Sequence, residues 1–221
     1  MHIPVMAAET IKYLAPQPHQ KLVDCTLGEG GHAKRILEQT GPTGRLLAID
    51  WDKDSLDLAL QNLVQYKNQL VAVVANFKNL KIIAQQNGFE QVEGILLDLG
   101  MSSWQLMKGG RGFSFQKDEP LDMRYNRENP LTAQMIVGSY SQEQLADIFF
   151  HLADEKFSRL IAQKIIEARK KEKIVSTKQL ADLVEKIVPR RGHIHPATRV
   201  FQALRMEVNK ELDNLLSLIH I

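Results

Sequence analysis

Glycines and acidic residues near the start of the chain have the spacing of a nucleoside-binding site. The stretch DCTLGEGGH covers residues 24–32, and Asp50 lies 22 residues after Gly28. Glycines let the backbone approach a ligand, and the N–H groups that open the following helix can bind its polar atoms. A carboxylate placed like Asp50 can accept hydrogen bonds from both ribose hydroxyls. The pattern predicts an adenosine cofactor; a glycine-rich turn followed by a helix-capping aspartate is the structural alternative.

This spacing alone does not identify the cofactor. Residues 28–33 also fit the loose GxGxxA fingerprint of dinucleotide sites. Glu29 and His32 would crowd a pyrophosphate, however, and no second nucleotide-binding half follows. Asp24 precedes the turn and suits the ammonium group of S-adenosyl-L-methionine, which we therefore favour over a nicotinamide dinucleotide.

Two further motifs could act on a substrate. The stretch DLGMSSWQ, residues 98–105, follows an apolar run, and Asp98 could accept a hydrogen bond from a target amino group. The segments RGFSF, residues 111–115, and PLDMR, residues 120–124, could combine phosphate contacts with base stacking. The structural alternatives are a capping aspartate with a polar turn for the first motif, and a packed loop with solvated charges for the second.

Basic residues are concentrated in the second half of the chain. Residues 1–105 carry 9 basic and 11 acidic side chains, whereas residues 155–206 carry 13 basic and 5 acidic ones. The block leads into the motif HPATRVFQALRMEVN, residues 195–209. It predicts a surface for RNA phosphates, with a solvated helix face as the alternative. The candidate RNA-binding residues are Arg111, Phe113, Arg124, Arg190, Arg191, His195, Arg199 and Arg205.

Elements of an α/β fold must position these motifs. Apolar runs predict strands over residues 21–26, 45–50, 71–74 and 94–99, and amphipathic stretches predict helices over 32–39, 55–66 and 77–87. Strands that are apolar throughout and alternate with helices indicate a parallel sheet covered on both faces.

The pattern changes after residue 100, where a loop rich in glycine and charge precedes a run of helices. Helical patterns cover residues 132–138, 141–152, 154–171, 176–187 and 197–216, and capping-box sequences begin at Ser141 and Ser176. No strand pattern follows Asp98. We therefore predict a helical insertion into the α/β domain, with domains at residues 1–105, 106–206 and 207–221.

Composition excludes several classes of protein. A single cysteine among 221 residues rules out a disulfide framework or a thiolate cluster built from one chain. No apolar run reaches the roughly 20 residues needed to cross a bilayer, and the start is not a signal peptide. The histidines lack the spacing of a metal site. We expect a cytoplasmic protein without a metal or a membrane partner; the oligomeric state is not indicated.

Taken together, the motifs resemble the bacterial 16S rRNA cytosine-N4 methyltransferases, the MraW family. The resemblance rests on TLGEGGH at 26–32, AID at 48–50, GILLDLG at 94–100, RGFSF at 111–115, PLDMR at 120–124 and HPATRVFQALR at 195–205. It implies a Rossmann-like class I methyltransferase sheet with an inserted all-helical domain. The implied activity is transfer of a methyl group from S-adenosyl-L-methionine to the N4 of a cytidine in 16S rRNA, at the decoding centre of the small ribosomal subunit.

The resemblance also implies roles for individual residues. Cofactor contacts fall on Gly30, Gly31, His32, Asp50, Phe77, Asp98 and Gln105. Asp98 is the expected catalytic partner of the target amino group, as its hydrogen-bond acceptor.

The chain departs from the family pattern at a few positions. Glu29 and Trp104 replace a usual glycine and a usual proline, and Met107 replaces a usual acid. The family's closing strand and SFHSL segment have no counterpart before residue 221, so we expect a sheet that lacks its C-terminal strands. A catalytically inactive fragment that binds RNA or the ribosome, and a nicotinamide-dependent oxidoreductase, are the competing hypotheses.

Overall fold

A computed structural model describes residues 4–108, 110–190 and 192–219. By their contacts the residues form two compact units, Met1–Trp104 with Asp213–Ile221 and Gln105–Leu212. The roles predicted for residues 1–105, 106–206 and 207–221 are not tested by this grouping and stay predictions.

The first unit is built on four parallel strands, which are β1 Lys21–Asp24, β2 Arg45–Asp50, β3 Leu70–Val74 and β4 Gly94–Leu96. Their order in the sheet is β3-β2-β1-β4. This order is that of a Rossmann-like sheet, as predicted. The helices of the first unit include α1 Ala7–Leu14, α2 Gly31–Thr40, α3 Lys53–Asn62 and α4 Leu80–Gln86, and α5 Ser103–Lys108 follows β4.

Apolar side chains cover both faces of the sheet. Leu22 of β1 and Leu46 of β2 pack in one cluster with residues of α2 and α3. Val23 and Leu47, their next neighbours along the strands, pack in a second cluster with residues of α4. Alternation of this kind follows from the two-residue period of a strand, and it explains why the strands are apolar throughout.

Cys25 belongs to the second of these clusters. Its side chain is 2% exposed. Burial, together with the nearby carboxyl group of Asp24, raises the pKa of the thiol to about 12. Cys25 is therefore a small core residue rather than a nucleophile.

The helices of the second unit include α6 Ala133–Ser139, α7 Gln142–Ala153, α8 Ser158–Arg169, α9 Thr177–Glu185 and α10 Thr198–Asn209, and α11 Glu211–Ile219 follows. Helix α7 packs against α8 and α10, and α6 packs against α10. Pro120, in the loop before α6, forms an isolated antiparallel bridge with Ser176. Both predicted capping boxes are present, at Ser141 and at Ser176.

Several predicted element limits were wrong. The helix expected over residues 197–216 is divided at Lys210, which has a left-handed φ of 49°. The last strand ends at Leu96 rather than at residue 99, and the N–H of Asp98 instead donates to Thr26 Oγ1 over 2.7 Å. Helices α1 and α5 were not predicted.

Candidate active site

Three aspartates of the first unit follow neighbouring strands at one edge of the sheet. Asp24 ends β1, Asp50 ends β2, and Asp98 lies two residues after β4. The strands are parallel, so these residues lie at the carboxyl ends of the strands, where ligands of doubly wound folds bind. The predicted ribose partner and the predicted amino-group partner are thus brought to the same edge.

Asp50 is linked to the glycine turn by its side chain. Its Oδ2 accepts a hydrogen bond from the N–H of Gly28 over 2.8 Å, and its Oδ1 accepts one from the N–H of Asp52 over 2.8 Å. Burial raises the pKa of Asp50 to about 6 in spite of these bonds. Each carboxylate oxygen has a second lone pair, so Asp50 keeps the capacity to accept hydrogen bonds from hydroxyl groups.

Asp24 is the most constrained of the three aspartates. It is 1% exposed, and its Oδ1 accepts a hydrogen bond from the N–H of Thr26 over 3.0 Å. Its Oδ2 has no hydrogen-bond partner among the described residues. Burial, and secondarily the charges of Asp50 and Asp98, raises the pKa of Asp24 to about 7. No cationic side chain pairs with this carboxylate among the residues that the structure describes.

Gly30 makes the turn between β1 and α2 possible. Its φ is +83°, a conformation that side-chain-bearing residues rarely adopt, and an added Cβ would lie 2.9 Å from Leu63 Cδ1. The N–H of Gly30 donates to Leu27 O over 2.8 Å. The turn delivers Gly31 and His32 to the start of α2, as the spacing of the motif requires.

His32 and Asp98 are brought together by this turn. His32 is 7% exposed, and its Nε2 lies 3.4 Å from Asp98 Oδ2. The Nδ1 of His32 has no hydrogen-bond partner in the described part of the chain. The side chain of Asp98 is 51% exposed, so one acceptor of this pair is open to a substrate.

Asn76 is a site residue that our reading of the sequence missed. It lies between β3 and Phe77, is 6% exposed, and accepts a hydrogen bond from the N–H of Lys78 through Oδ1 over 2.9 Å. That bond assigns the other amide atom, Nδ2, as a donor, and Nδ2 has no partner among the residues described. An asparagine directly after a strand and before the half-buried Phe77 was the available signal.

Gln105 is buried in α5, with 6% exposure. It is the first residue of the second unit. The remaining predicted cofactor residues belong to the first unit.

The second unit uses several of the predicted RNA-binding side chains internally. Arg111 is 5% exposed, and its Nη1 donates to the carbonyl oxygens of Arg124 and Tyr125 over 3.1 and 3.0 Å. Phe113 is buried and stacks on Tyr125 with 5.5 Å between ring centroids. These contacts hold the loop that carries the RGFSF and PLDMR motifs.

Two other arginines of this group form bidentate ion pairs. Arg124 donates to Asp122 from Nε over 2.7 Å and from Nη2 over 2.8 Å. Arg205 donates to Glu211 from Nε over 2.7 Å and from Nη2 over 3.0 Å. Paired guanidinium groups of this kind fix the local geometry, and a contact of Arg124 or Arg205 with RNA stays a prediction.

His195, in the loop after α9, packs against Phe115 of the RGFSF motif. Its Nδ1 accepts a hydrogen bond from the N–H of Ala197 over 3.1 Å, and its Nε2 lies 3.6 Å from Glu185 Oε1. The ring lies 4.6 Å from that of Phe115, which in turn packs edge-on against Phe201. His195 thus has a structural role, and its contact with RNA stays a prediction.

Arg190 and Arg199 are exposed. Arg199 donates from Nη1 to the carbonyl oxygen of Asp154 over 2.8 Å. The predicted Arg191 lies outside the described residues. The structure therefore leaves exposed cations at two of the seven predicted RNA-binding positions that it describes.

None of the helices within residues 4–108, 110–190 and 192–219 is long and apolar enough to cross a bilayer. In the same ranges no group of three or more histidine, cysteine, aspartate or glutamate side chains could hold a metal ion.

Known proteins resemble the chain over most of its length. It is 43% identical to a ribosomal RNA small subunit methyltransferase H of Desulfotalea psychrophila over 99% of the chain and 75% of that protein. Proteins of the same name from Dehalococcoides mccartyi and Clostridium botulinum are 46% and 44% identical over 97% of the chain, and the matches cover 61% and 70% of their lengths. The chain thus spans between about three fifths and three quarters of these relatives.

Solved structures overlap with a smaller part of the chain. A putative rRNA methylase from Clostridium thermocellum aligns with 46% of the chain at a TM-score of 0.39 and 15% identity. A SAM-dependent O-methyltransferase from Thermotoga maritima aligns with 36% of it at a TM-score of 0.33 and 16% identity. The description of the MraW methylase family matches residues 1–221. The chain belongs to the MraW methylase family.

Proposed function

We propose that the protein transfers a methyl group from S-adenosyl-L-methionine to the exocyclic N4 of a cytidine in 16S rRNA, at the decoding centre of the small ribosomal subunit in the cytoplasm. Family membership and the names of the relatives support an rRNA methyltransferase. The cytidine and its position rest on the resemblance of the motifs. The site geometry supports the cofactor independently.

Three unpartnered buried atoms at one edge of the sheet carry the proposal. They are Asp24 Oδ2, His32 Nδ1 and Asn76 Nδ2, none of which has a hydrogen-bond partner among the described residues. A buried polar atom without a partner costs about 1–3 kcal/mol, so a ligand that satisfies such atoms gains affinity. Asp24 requires a cation or donor, and Asn76 requires an acceptor.

S-adenosyl-L-methionine has both kinds of group. Its ammonium suits Asp24, and the ring nitrogens of its adenine suit the amide of Asn76. A dinucleotide would instead bring a pyrophosphate towards Asp24 and Asp98, whose like charge disfavours it. These residues therefore fit the methyl donor better than the nicotinamide alternative.

The predicted cofactor residues would contact different parts of the cofactor. Gly30, Gly31 and His32 would present the turn and the start of α2, Asp50 would accept from the ribose, and Phe77 would flank the adenine. Asp98 and Gln105 complete the predicted set. The bound cofactor supplies an electrophilic methyl group on a sulfonium centre, and in-line positioning of the acceptor provides much of the rate acceleration.

Asp98 is the proposed acceptor for the target amino group. Its half-exposed carboxylate can accept an N–H of the cytosine amino group while His32 holds its other side at 3.4 Å. A hydrogen bond of this kind orients the amino group and increases electron density on its nitrogen. The contact with His32 fixes the direction of the Asp98 carboxylate.

Exposed cations of the second unit are the proposed contacts with rRNA phosphates. Arg190 and Arg199 are exposed, as are Lys170, Lys171 and Lys173 after α8. For Arg111, Phe113, Arg124, His195 and Arg205 we propose an indirect role, since their contacts shape the loop and helices that carry the exposed residues. Arg191 stays a candidate contact.

Methylation of isolated small subunits tests the proposal. Subunits from a strain that lacks the N4 methyl group are incubated with the chain and isotopically labelled S-adenosyl-L-methionine, and the modified nucleotide is located by RNA mass spectrometry. We expect one labelled N4-methylcytidine, and Asp98→Asn should slow its formation by about 10- to 100-fold through loss of the charged acceptor. Binding of subunits and cofactor without transfer would favour the non-catalytic alternative. Tight binding of NAD alone would overturn the proposal.

A further inference from the structure

Glu29 links two loops of the first unit. Its Oε1 accepts a hydrogen bond from the backbone N–H of Trp104 over 3.0 Å. Trp104 lies in the first turn of α5, where backbone N–H groups have no partner within the helix. The side chain of Glu29 therefore supplies a helix cap from a distant part of the sequence.

The backbone of Glu29 is held as well. Asn62 Nδ2, in the last turn of α3, donates to Glu29 O over 3.0 Å. The residue that accepts from Trp104 is thus anchored to a helix. A hydrogen bond to a carboxylate whose backbone is already anchored costs less conformational entropy than one to a residue of a mobile loop.

The segment from Asp98 to Trp104 is attached at both ends to the β1–α2 turn. At its start the N–H of Asp98 donates to Thr26 Oγ1 over 2.7 Å, and at its end the N–H of Trp104 donates to Glu29. Between them Gly100 has a φ of +143°, and a Cβ added to it would meet no atom within 4 Å outside its chain neighbours. Asp98, next to His32, lies on this doubly attached segment.

We propose that Glu29 is a positioning residue that holds the Asp98–Trp104 segment against the glycine turn through the N–H of Trp104, and so sets the cofactor-binding position of Asp98. The hydrogen bond needs both residue types, because a glycine at position 29 would offer no carboxylate and a proline at position 104 would have no N–H. The inference rests on the proposed cofactor site.

Calorimetric titration with S-adenosylhomocysteine tests the proposal on the full chain. Glu29→Ala removes the acceptor and should weaken binding about threefold to tenfold, the range expected for one hydrogen bond. Glu29→Gln keeps an oxygen acceptor without the charge and should bind within twofold of the wild type. Glu90→Ala is the matched control, because it removes an exposed carboxylate of the same unit that has no hydrogen bond or ion pair among the described residues.

Variants of the donor test the same bond from the other side. Trp104→Pro removes the N–H, whereas Trp104→Ala removes the indole and keeps the N–H. Their difference gives the effect of the N–H, and this effect should largely disappear when Glu29 is already alanine. Additive effects, or a Glu29→Gln variant as weak as Glu29→Ala, would overturn the proposal.

Hydrogen exchange separates this inference from the proposed cofactor. In the absence of ligand, the amides of residues 98–104 should exchange about threefold to tenfold faster in Glu29→Ala than in the wild type and in Glu90→Ala. Unchanged exchange of these amides in Glu29→Ala would contradict the proposal that Glu29 holds this segment. If the wild type binds no S-adenosylhomocysteine, the cofactor proposal fails, and the exchange result still decides the role of Glu29.

Discussion

Asp24 is the residue whose chemistry depends most on its surroundings. It is a carboxyl group with one satisfied and one unpartnered oxygen within the described structure, and burial raises its pKa to about 7. A cationic ligand stabilises the ionised form. Ligand binding and proton release at Asp24 are therefore coupled.

This coupling predicts a pH-dependent cofactor affinity. Below about pH 7 the free protein holds a proton on Asp24 that the ligand ammonium must displace, so the affinity for S-adenosylhomocysteine should fall by up to about tenfold per pH unit. Calorimetry between about pH 5.5 and 7.5, within this window, measures it. Asp24→Asn should bind more weakly at neutral pH and lose the part of this dependence that Asp24 causes. Titration of Asp50, whose pKa is raised by burial to about 6, and of the ligand's own amino group remains in both proteins. An identical pH profile for the two would exclude Asp24 as the ammonium partner.

The same pKa determines how the ligand-free fold responds to pH. The folded-state pKa of Asp24 is above its ordinary value of 3.8, so its contribution to stability is complete below about pH 4 and is lost as the pH rises through about 7. In the ligand-free protein the Asp24→Asn substitution should therefore remove part of the decline in the urea midpoint between pH 5 and pH 7.

For single residues, the sequence predicted the relations that the spacing within a motif determines. It did not predict the contacts that depend on how the whole chain folds. The spacing of Gly28 and Asp50 indicated a shared ligand, and a 2.8 Å hydrogen bond joins the two residues. The internal roles of Arg111 and Arg205 were not foreseen. Their partners include the carbonyl oxygen of Tyr125 and the carboxylate of Glu211, which only the folded chain brings near.

The elements were predicted where local signals decide them. Ser141 and Ser176 cap their helices as their sequences indicate, because a capping box depends on residues three apart. The break at Lys210 was missed, since an amphipathic pattern continues through it. Lys210 adopts a left-handed conformation that the sequence does not mark with glycine.

Lys210 therefore offers a test at the scale of the element. It follows α10 with a φ of 49°, and glycine adopts this conformation without the steric cost of a Cβ. Lys210→Gly should stabilise the protein by about 0.5–1 kcal/mol, measured from the urea midpoint. Lys210→Ala is the control, because it loses the ion pair with Glu207 and keeps the Cβ. A glycine variant no more stable than the alanine variant would show that the backbone is not strained.

On the scale of the whole molecule, the net charge of +2 conceals opposite charges of the two units. Residues 1–104 with 213–221 carry 9 basic and 12 acidic side chains, a net charge of −3, whereas residues 105–212 carry 19 and 14, a net charge of +5. The sequence indicated this asymmetry from composition. It could not show which cations are already paired within the second unit.

Salt dependence distinguishes the exposed cations from the paired ones. Removing a side chain that contacts phosphate should lower the slope of log affinity against log salt by about 0.7–0.9. Lys171→Ala and Arg190→Ala should each do so for binding to small subunits, measured by filter binding. Arg205→Ala should keep the slope and instead lower the stability by about 1–3 kcal/mol, because the largely buried carboxylate of Glu211 loses its cationic partner. A fall in the slope of about 0.7–0.9 with Arg205→Ala would instead show that Arg205 contacts a phosphate directly.

The burial of Cys25 has a consequence for experiments that follow the motion of the protein with an attached label. It is the single cysteine of the chain, it is 2% exposed, and its thiol has a pKa of about 12. At neutral pH it is almost entirely protonated and shielded from alkylating reagents. A cysteine introduced at an exposed position such as Lys171 or Glu90 would thus be the preferred site for a fluorophore or spin label. The native cysteine therefore need not be removed by mutation before the protein is labelled.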